Sequence, residues 1–76
     1  MDRERARIER AVAEEFCGSH SVTIGYGCAG EWISVVIRDA SGDVVTRGQP
    51  MTSLSDLRRW SASDLRSWIR GSVVNY

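Results

Sequence analysis

The chain has 76 residues, of which 42% are hydrophobic and 26% are charged. Ten arginines balance ten acidic residues, lysine does not occur, and the net charge at pH 7 is zero. A chain of this length and composition is expected to form one folded domain, residues 1–76, and its neutral charge argues against broad electrostatic attraction to nucleic acid.

The sequence shows no membrane or export signal. No apolar run approaches the roughly 18 residues of a membrane helix, and no apolar segment follows the charged N-terminus as in a signal peptide. We therefore expect a cytoplasmic location. The use of arginine without lysine favours a GC-rich genome, which is typical of a bacterial or phage source.

Residues 2–16 carry apolar side chains at helical spacing, and Gly18 follows in the position where a left-handed residue ends many helices. The segment therefore predicts an amphipathic helix. Its apolar face consists of Ile8, Ala11, Val12 and Phe16.

The middle of the chain predicts a three-stranded antiparallel meander, because apolar residues alternate with other residues as in half-buried strands. The segment 39–43 is expected to form a hairpin loop, with Gly42 at the position that needs a positive φ angle. Gln49-Pro50 is expected to close the sheet, because proline cannot donate to a strand ladder. The apolar strand positions are Val22, Ile24 and Tyr26, then Ile33, Val35 and Ile37, then Val44 and Val45.

The C-terminal part repeats an eight-residue pattern, SLSDLRRW at 53–60 and SASDLRSW at 61–68. The first serine of each copy is placed to cap a helix, and the aspartate lies in the first turn, where the helix dipole favours a negative charge. The repeat predicts two short helices separated near Ser61. One helix over 54–70 is the alternative, because Leu54, Leu57, Leu65, Trp68 and Ile69 also form a single stripe.

Together these elements predict a two-layer α+β domain with the order α-β-β-β-α(α), in which the helices pack on one face of the meander. This order is similar to that of double-stranded-RNA-binding domains. The last helical part begins with Ser53-Leu54-Ser55-Asp56, however, where those domains carry a basic cluster that binds phosphate. The similarity is confined to topology, and we infer no family from it.

Gly25, Gly27 and Gly30 have the spacing of glycines in nucleotide-binding loops. A dinucleotide fingerprint requires a helix after the third glycine, because the N–H groups of that helix hold the pyrophosphate. Residues 32–37 predict a strand instead. A protein kinase places its glycine-rich loop between strands, but it also requires a lysine and a much longer domain. We interpret the segment as a connection between strands and expect no cofactor.

Cys17, His20 and Cys28 are the candidate soft metal ligands. Structural zinc requires four ligands, and only a carboxylate such as Glu31 would complete the set. Cys17 and His20 would alternatively form a nucleophile and its base, but no acid is placed to orient the histidine. We expect two reduced cysteines, no metal and no enzyme activity, and we keep a small metal or Cys/His site as the third hypothesis.

The back of the sheet is the first candidate binding surface. If Ile33, Val35 and Ile37 face the helices, the other face of the sheet is uncovered, since both helical parts pack on one side. Exposed tryptophan beside valine, with arginine at the rim, is typical of a binding patch. This face would carry Thr23, Trp32, Ser34, Val36, Arg38, Val45 and Arg47. The alternative is that Trp32 lies in the core and the opposite set is exposed, because both sets contain apolar residues.

The C-terminal arginines are the second candidate surface. Arg59, Arg66 and Arg70 would lie within a narrow arc if residues 54–70 formed one helix. Arginine side chains suit phosphate or a carboxylate-rich protein surface. We therefore add these three residues to the expected protein-binding set.

These observations predict a non-catalytic protein-binding module, a monomer or weak homodimer whose partner is another protein. Small proteins that phages or mobile elements carry to inhibit host protein complexes, anti-CRISPR proteins among them, are similar in size and lack catalytic motifs. The alternative is a nucleic-acid-binding domain that uses the C-terminal arginines together with Trp32.

Overall fold

The computed structural model describes residues 2–27 and 29–74. The three strands form one antiparallel sheet in the order β1-β2-β3, and the helices pack on one face, which confirms the expected α+β architecture. None of the helices in the described ranges has the length and apolar character that a membrane span requires. The elements are α1, Asp2–Glu15; β1, Ser21–Gly27; β2, Trp32–Arg38; β3, Met51–Ser53; α2, Leu54–Arg59; and α3, Ala62–Gly71.

Helix α1 ends as the sequence predicts. Cys17 and Gly18 both adopt positive φ angles, 54° and 78°. The N–H of Gly18 donates to the carbonyl of Ala13 at 2.9 Å. This hydrogen bond satisfies one of the carbonyls that the end of a helix leaves without a partner.

Strand β2 is the central strand of the sheet, and the side chains on one of its faces belong to the hydrophobic core. Ile33, Val35 and Ile37 are buried, which confirms that this set faces the helices. The other core residues are Ile8, Ala11, Val12, Leu54, Leu57, Leu65, Ile69 and Val73.

The third strand lies at Met51–Ser53, and the prediction of a strand at 44–46 was wrong. Residues 44–46 form only isolated bridges, because this segment leaves β2 after the hairpin and reaches the C-terminal end of the chain. The N-terminal half of β2 is thereby left to pair with β3. The isolated bridges join Val44 to Arg38 and Thr46 to Val73.

Pro50 does not close the sheet, so this expectation was also wrong. Its carbonyl accepts a hydrogen bond from the N–H of Val35 at 3.2 Å. Proline lacks only the donor of a strand ladder, and its acceptor remains available at the start of a strand. Gly48, with a φ angle of 63°, lies in the segment that leads into β3.

The hairpin loop after β2 is held by the carboxylate of Asp39. One carboxylate oxygen accepts the hydroxyl of Ser41 at 2.7 Å and the N–H groups of Ser41 and Asp43 at 3.0 Å. The Ser41 hydroxyl first, and then the Asp43 N–H, lower the pKa of Asp39 below its ordinary value. Gly42 has a φ angle of 91°, which confirms the expected glycine position.

The C-terminal repeat forms two helices, as the sequence favours. Ser53 caps α2 by accepting the N–H of Asp56 at 3.1 Å. Ser61 accepts the N–H of Asp64 at 3.1 Å, and the Asp64 carboxylate accepts the N–H of Ser61 at 3.1 Å, which completes a capping box. Trp60 between the helices is extended, with a ψ angle of 139°.

Candidate protein-binding surface

The face of the sheet opposite the helices presents a tryptophan between two small residues. Trp32 is directly opposite Gly27 on β1 and Ser53 on β3. Side chains of directly opposed residues share a face of the sheet and lie close together. Since glycine has no side chain and serine has a short one, neither covers the indole, and Trp32 is 40% exposed.

Two further apolar residues, which sequence reasoning missed, lie on this face. Met51 is opposite Ser34, and Val44 is opposite Arg38, and their exposed fractions are 48% and 54%. The sequence analysis missed both residues because it placed the third strand at 44–46 instead of 51–53. We call this surface the open sheet face, and it consists of Thr23, Trp32, Ser34, Val36, Arg38, Val44 and Met51.

The structure changes the expected rim of this face. Val45 packs against the core, so its assignment to the open face was wrong and Val44 takes that place. Arg47 is exposed, and its N–H donates to the carbonyl of Ser72 at 2.7 Å, so it lies beside the C-terminal segment. Arg38 is exposed at the end of β2. Neither arginine side chain has an ion pair or hydrogen bond with another described residue.

The three C-terminal arginines are not brought together. Arg59 is on α2, separated from α3 by the helix break, and forms an ion pair with Asp56. Arg66 and Arg70 are on α3 and both bind the carboxylate of Glu15 on α1, with closest distances of 3.3 Å and 3.0 Å. Each of the three arginines therefore has an acidic partner within the chain, and Arg66 and Arg70 share one carboxylate.

A cleft of about 390 Å³ continues the open sheet face towards α2. We call it the Trp32 cleft. Trp32 and Leu54 contribute apolar surface to its lining, and Glu31 and Arg58 contribute opposite charges. The cleft is lined by Gly30, Glu31, Trp32, Ser53, Leu54, Ser55 and Arg58.

The glycine segment connects two strands, as interpreted from the sequence. Gly25 and Gly27 belong to β1, and Gly30, with a φ angle of 83°, precedes β2 rather than a helix. Gly25 has a packing role, because a Cβ atom added there would lie 2.9 Å from the Oγ of Ser34. The glycine at this position therefore makes room for the half-buried Ser34 side chain on the open sheet face.

The ring of His20 contacts Ser19 and stacks on Phe16. The Ser19 hydroxyl donates its proton to the carbonyl of Phe16 at 2.7 Å. The Nδ1 of His20, 2.8 Å from that hydroxyl, therefore acts as the donor to Oγ. Cys17 is exposed, and Cys28 lies outside the described residues. Within 2–27 and 29–74, no group of three or more His, Cys, Asp or Glu residues is placed to bind a metal ion.

Comparison with known proteins gives no relative: no protein-family model, curated protein or solved structure matches this chain.

Proposed function

We propose that this protein is a non-catalytic protein-binding module whose partner contacts the open sheet face and the Trp32 cleft. The observation that carries the proposal is the half-exposed indole of Trp32, which stands between Gly27 and Ser53 beside the exposed Met51. Tryptophan is enriched among the residues that dominate binding energy at protein interfaces, and contiguous exposed apolar side chains mark interaction sites.

The distribution of charge supports a protein partner rather than nucleic acid. The chain has no net charge, and Arg59, Arg66 and Arg70 are paired with acidic side chains. Binding to a phosphate backbone requires several uncompensated cations along one surface. An apolar centre with Arg38 at its edge suits the centre and rim of a protein interface.

Within this class, we propose that the module acts by occluding a host protein complex, as small inhibitors carried by phages or mobile elements do. The small size and the lysine-free, arginine-rich composition support this setting.

A matched pair of variants tests the surface. Thr23→Arg places a long charged side chain on the open sheet face, and Ala13→Arg places the same side chain on the exposed side of α1. A partner captured by the wild-type chain from nuclease-treated lysate, then identified and purified, should bind Ala13→Arg normally and Thr23→Arg at least tenfold more weakly. Equal binding of the two variants would refute the assignment of this face. A protein that is captured from untreated lysate but not from nuclease-treated lysate would indicate that nucleic acid bridges it to this chain.

A further inference from the structure

A second cleft, between α1 and α2, concentrates positive charge in an otherwise neutral chain. It has a volume of about 640 Å³ and is lined by Arg3, Glu4, Arg7, Arg58 and Trp60. We call it the arginine cleft. Three guanidinium groups face one carboxylate, so the lining has a formal excess of two positive charges. A volume of this size admits one or two side chains of another molecule.

Arg7 is fixed in place by the end of α2. Its Nη1 donates to the carbonyl of Leu57 at 2.9 Å and its Nη2 to the carbonyl of Trp60 at 2.7 Å. These carbonyls lie at the C-terminal end of α2, which attracts positive charge, and the Leu57 carbonyl also accepts the N–H of Trp60 at 3.2 Å. A guanidinium carries five N–H groups, and the remaining ones of Arg7 have no partner among the described residues.

Only one of the three arginines has its charge compensated. Arg58 donates from Nε and Nη2 to a single carboxylate oxygen of Glu4, at 3.3 Å and 3.2 Å. The Glu4 side chain is 6% exposed and that of Arg58 is 62% exposed, so the Arg58 guanidinium is held at the surface by a buried anchor. Arg3 is exposed and forms no ion pair or hydrogen bond with another described residue.

We infer that the arginine cleft binds the carboxylate groups of an acidic peptide segment of the partner. Guanidinium groups bind carboxylates through paired, charge-assisted hydrogen bonds, and two of these groups are already oriented by Leu57, Trp60 and Glu4. Arg58 also lines the Trp32 cleft, so one segment that crosses Arg58 contacts both clefts. In this respect the inference rests on the proposed function and adds the chemistry of the partner.

The lining favours a short acidic peptide over nucleic acid. Acidic side chains interrupt the positive charge beyond the cleft. Glu31 lines the Trp32 cleft together with Arg58. Glu14 lines the cleft on the α3 side together with Arg10 and Arg66, and Arg66 is paired with Glu15. A nucleic-acid backbone requires cations repeated along its length. Two or three carboxylates on a peptide match the local excess of two charges in the arginine cleft.

The test uses the full chain and a defined probe. Acetyl-triglutamate amide is titrated in NMR experiments that follow the side-chain N–H signals of Arg7, Arg58 and Trp60, with acetyl-triglutamine amide as the uncharged control. We expect saturable shifts with triglutamate alone. Arg3→Ser should weaken binding about three- to tenfold, the scale of one charge-assisted contact. Arg10→Ser, which removes an exposed arginine of α1 that does not line this cleft, should leave it unchanged.

Several results would overturn the inference. These are the absence of saturable shifts with triglutamate, equal shifts with triglutamine, equal weakening by Arg10→Ser, or tighter binding of an octathymidylate probe. Trp32→Ala should leave triglutamate binding intact, because Trp32 does not line the arginine cleft. Failure of the peptide test together with loss of partner binding in Thr23→Arg would therefore reject this inference and leave the proposed function standing.

Discussion

Arg70 forms a bidentate ion pair with Glu15, from Nε to one carboxylate oxygen at 3.0 Å and from Nη2 to the other at 3.3 Å. Arg66 donates to the same carboxylate, whose side chain is 3% exposed. This cluster ties the end of α1 to α3. The two arginines therefore stabilise the fold, and we no longer propose them as contacts to a partner.

Glu15→Gln keeps the size of the side chain and removes the charge that both arginines bind. We expect it to lower the free energy of unfolding by about 1 to 2 kcal/mol, since the lost hydrogen bonds are charge-assisted but the arginines are partly solvated. Denaturant melts measure this difference. Glu14→Gln, an exposed neighbour, should change stability by less than about 0.5 kcal/mol. Equal melts of the two variants would show that the cluster contributes nothing to stability.

Ser61→Ala should lower the free energy of unfolding by about 0.5 to 2 kcal/mol, because it removes the side-chain acceptor of the α3 capping box. Ser63→Ala, an exposed serine in the first turn of the same helix, provides the control. It should be neutral or slightly stabilising, since alanine is the better helix former. A neutral Ser61→Ala would contradict the break between α2 and α3.

Gly25→Ala should destabilise the sheet by about 1 kcal/mol, because the new Cβ atom would lie 2.9 Å from the Oγ of Ser34. Ser34→Ala removes that oxygen. The double variant should therefore be more stable than Gly25→Ala alone, and a double-mutant cycle over the four proteins measures this coupling. Additive effects would show that the Ser34 hydroxyl moves away without cost and that Gly25 has no packing role.

Acid should weaken the contact between Glu4 and Arg58. Burial raises the pKa of Glu4, but the hydrogen bond from Arg58, the charge of the N-terminus and the charge of Arg58 together outweigh it, so the pKa lies below its ordinary value of 4.5. A carboxyl group whose pKa is lower in the folded state contributes stability that is fully present above its unfolded pKa and is lost as the pH falls through the folded pKa. The advantage of wild type over Glu4→Gln should therefore shrink below pH 4.5.

Denaturant melts of both proteins between pH 2 and pH 7 check this expectation. In an Arg58→Gln background, the part of the Glu4→Gln effect that shrinks in acid should be smaller, because the hydrogen bond and charge of Arg58 no longer lower the pKa of Glu4. A difference between wild type and Glu4→Gln that stays constant with pH would contradict the account.

Local chemistry made much of this fold predictable. The helix stop at Gly18, the serine caps and the alternation of Ile33, Val35 and Ile37 each depend on residues close in sequence. The strand at 51–53 was not predictable in the same way, because it depends on a competition for β2. The side chains of residues 44–46 are equally typical of a strand, but Thr46 bridges to Val73 near the C-terminus rather than to β2.

The ion pairs were hidden for a related reason. Arg58 and Glu4 are 54 positions apart, and Arg70 and Glu15 are 55 positions apart. A sequence pattern shows that α1 and α3 are charged, but only their packing decides which charges meet. The sequence therefore offered Trp32 as a candidate surface residue without deciding which face of the sheet is exposed, and it overestimated the number of arginines available to a partner.

The most direct test of the central claim is Trp32→Ala, with folding and partner binding measured on the same preparation. The indole is 40% exposed on the open sheet face, so its loss should lower the free energy of unfolding by about 1 to 2 kcal/mol, less than the loss of a core tryptophan. Partner affinity should fall by at least about 2 kcal/mol, the scale of an interface hot spot. A loss of about 3 to 5 kcal/mol in stability, typical of a core tryptophan, or unchanged partner affinity in a stable variant, would contradict the assignment of the open sheet face as the binding surface.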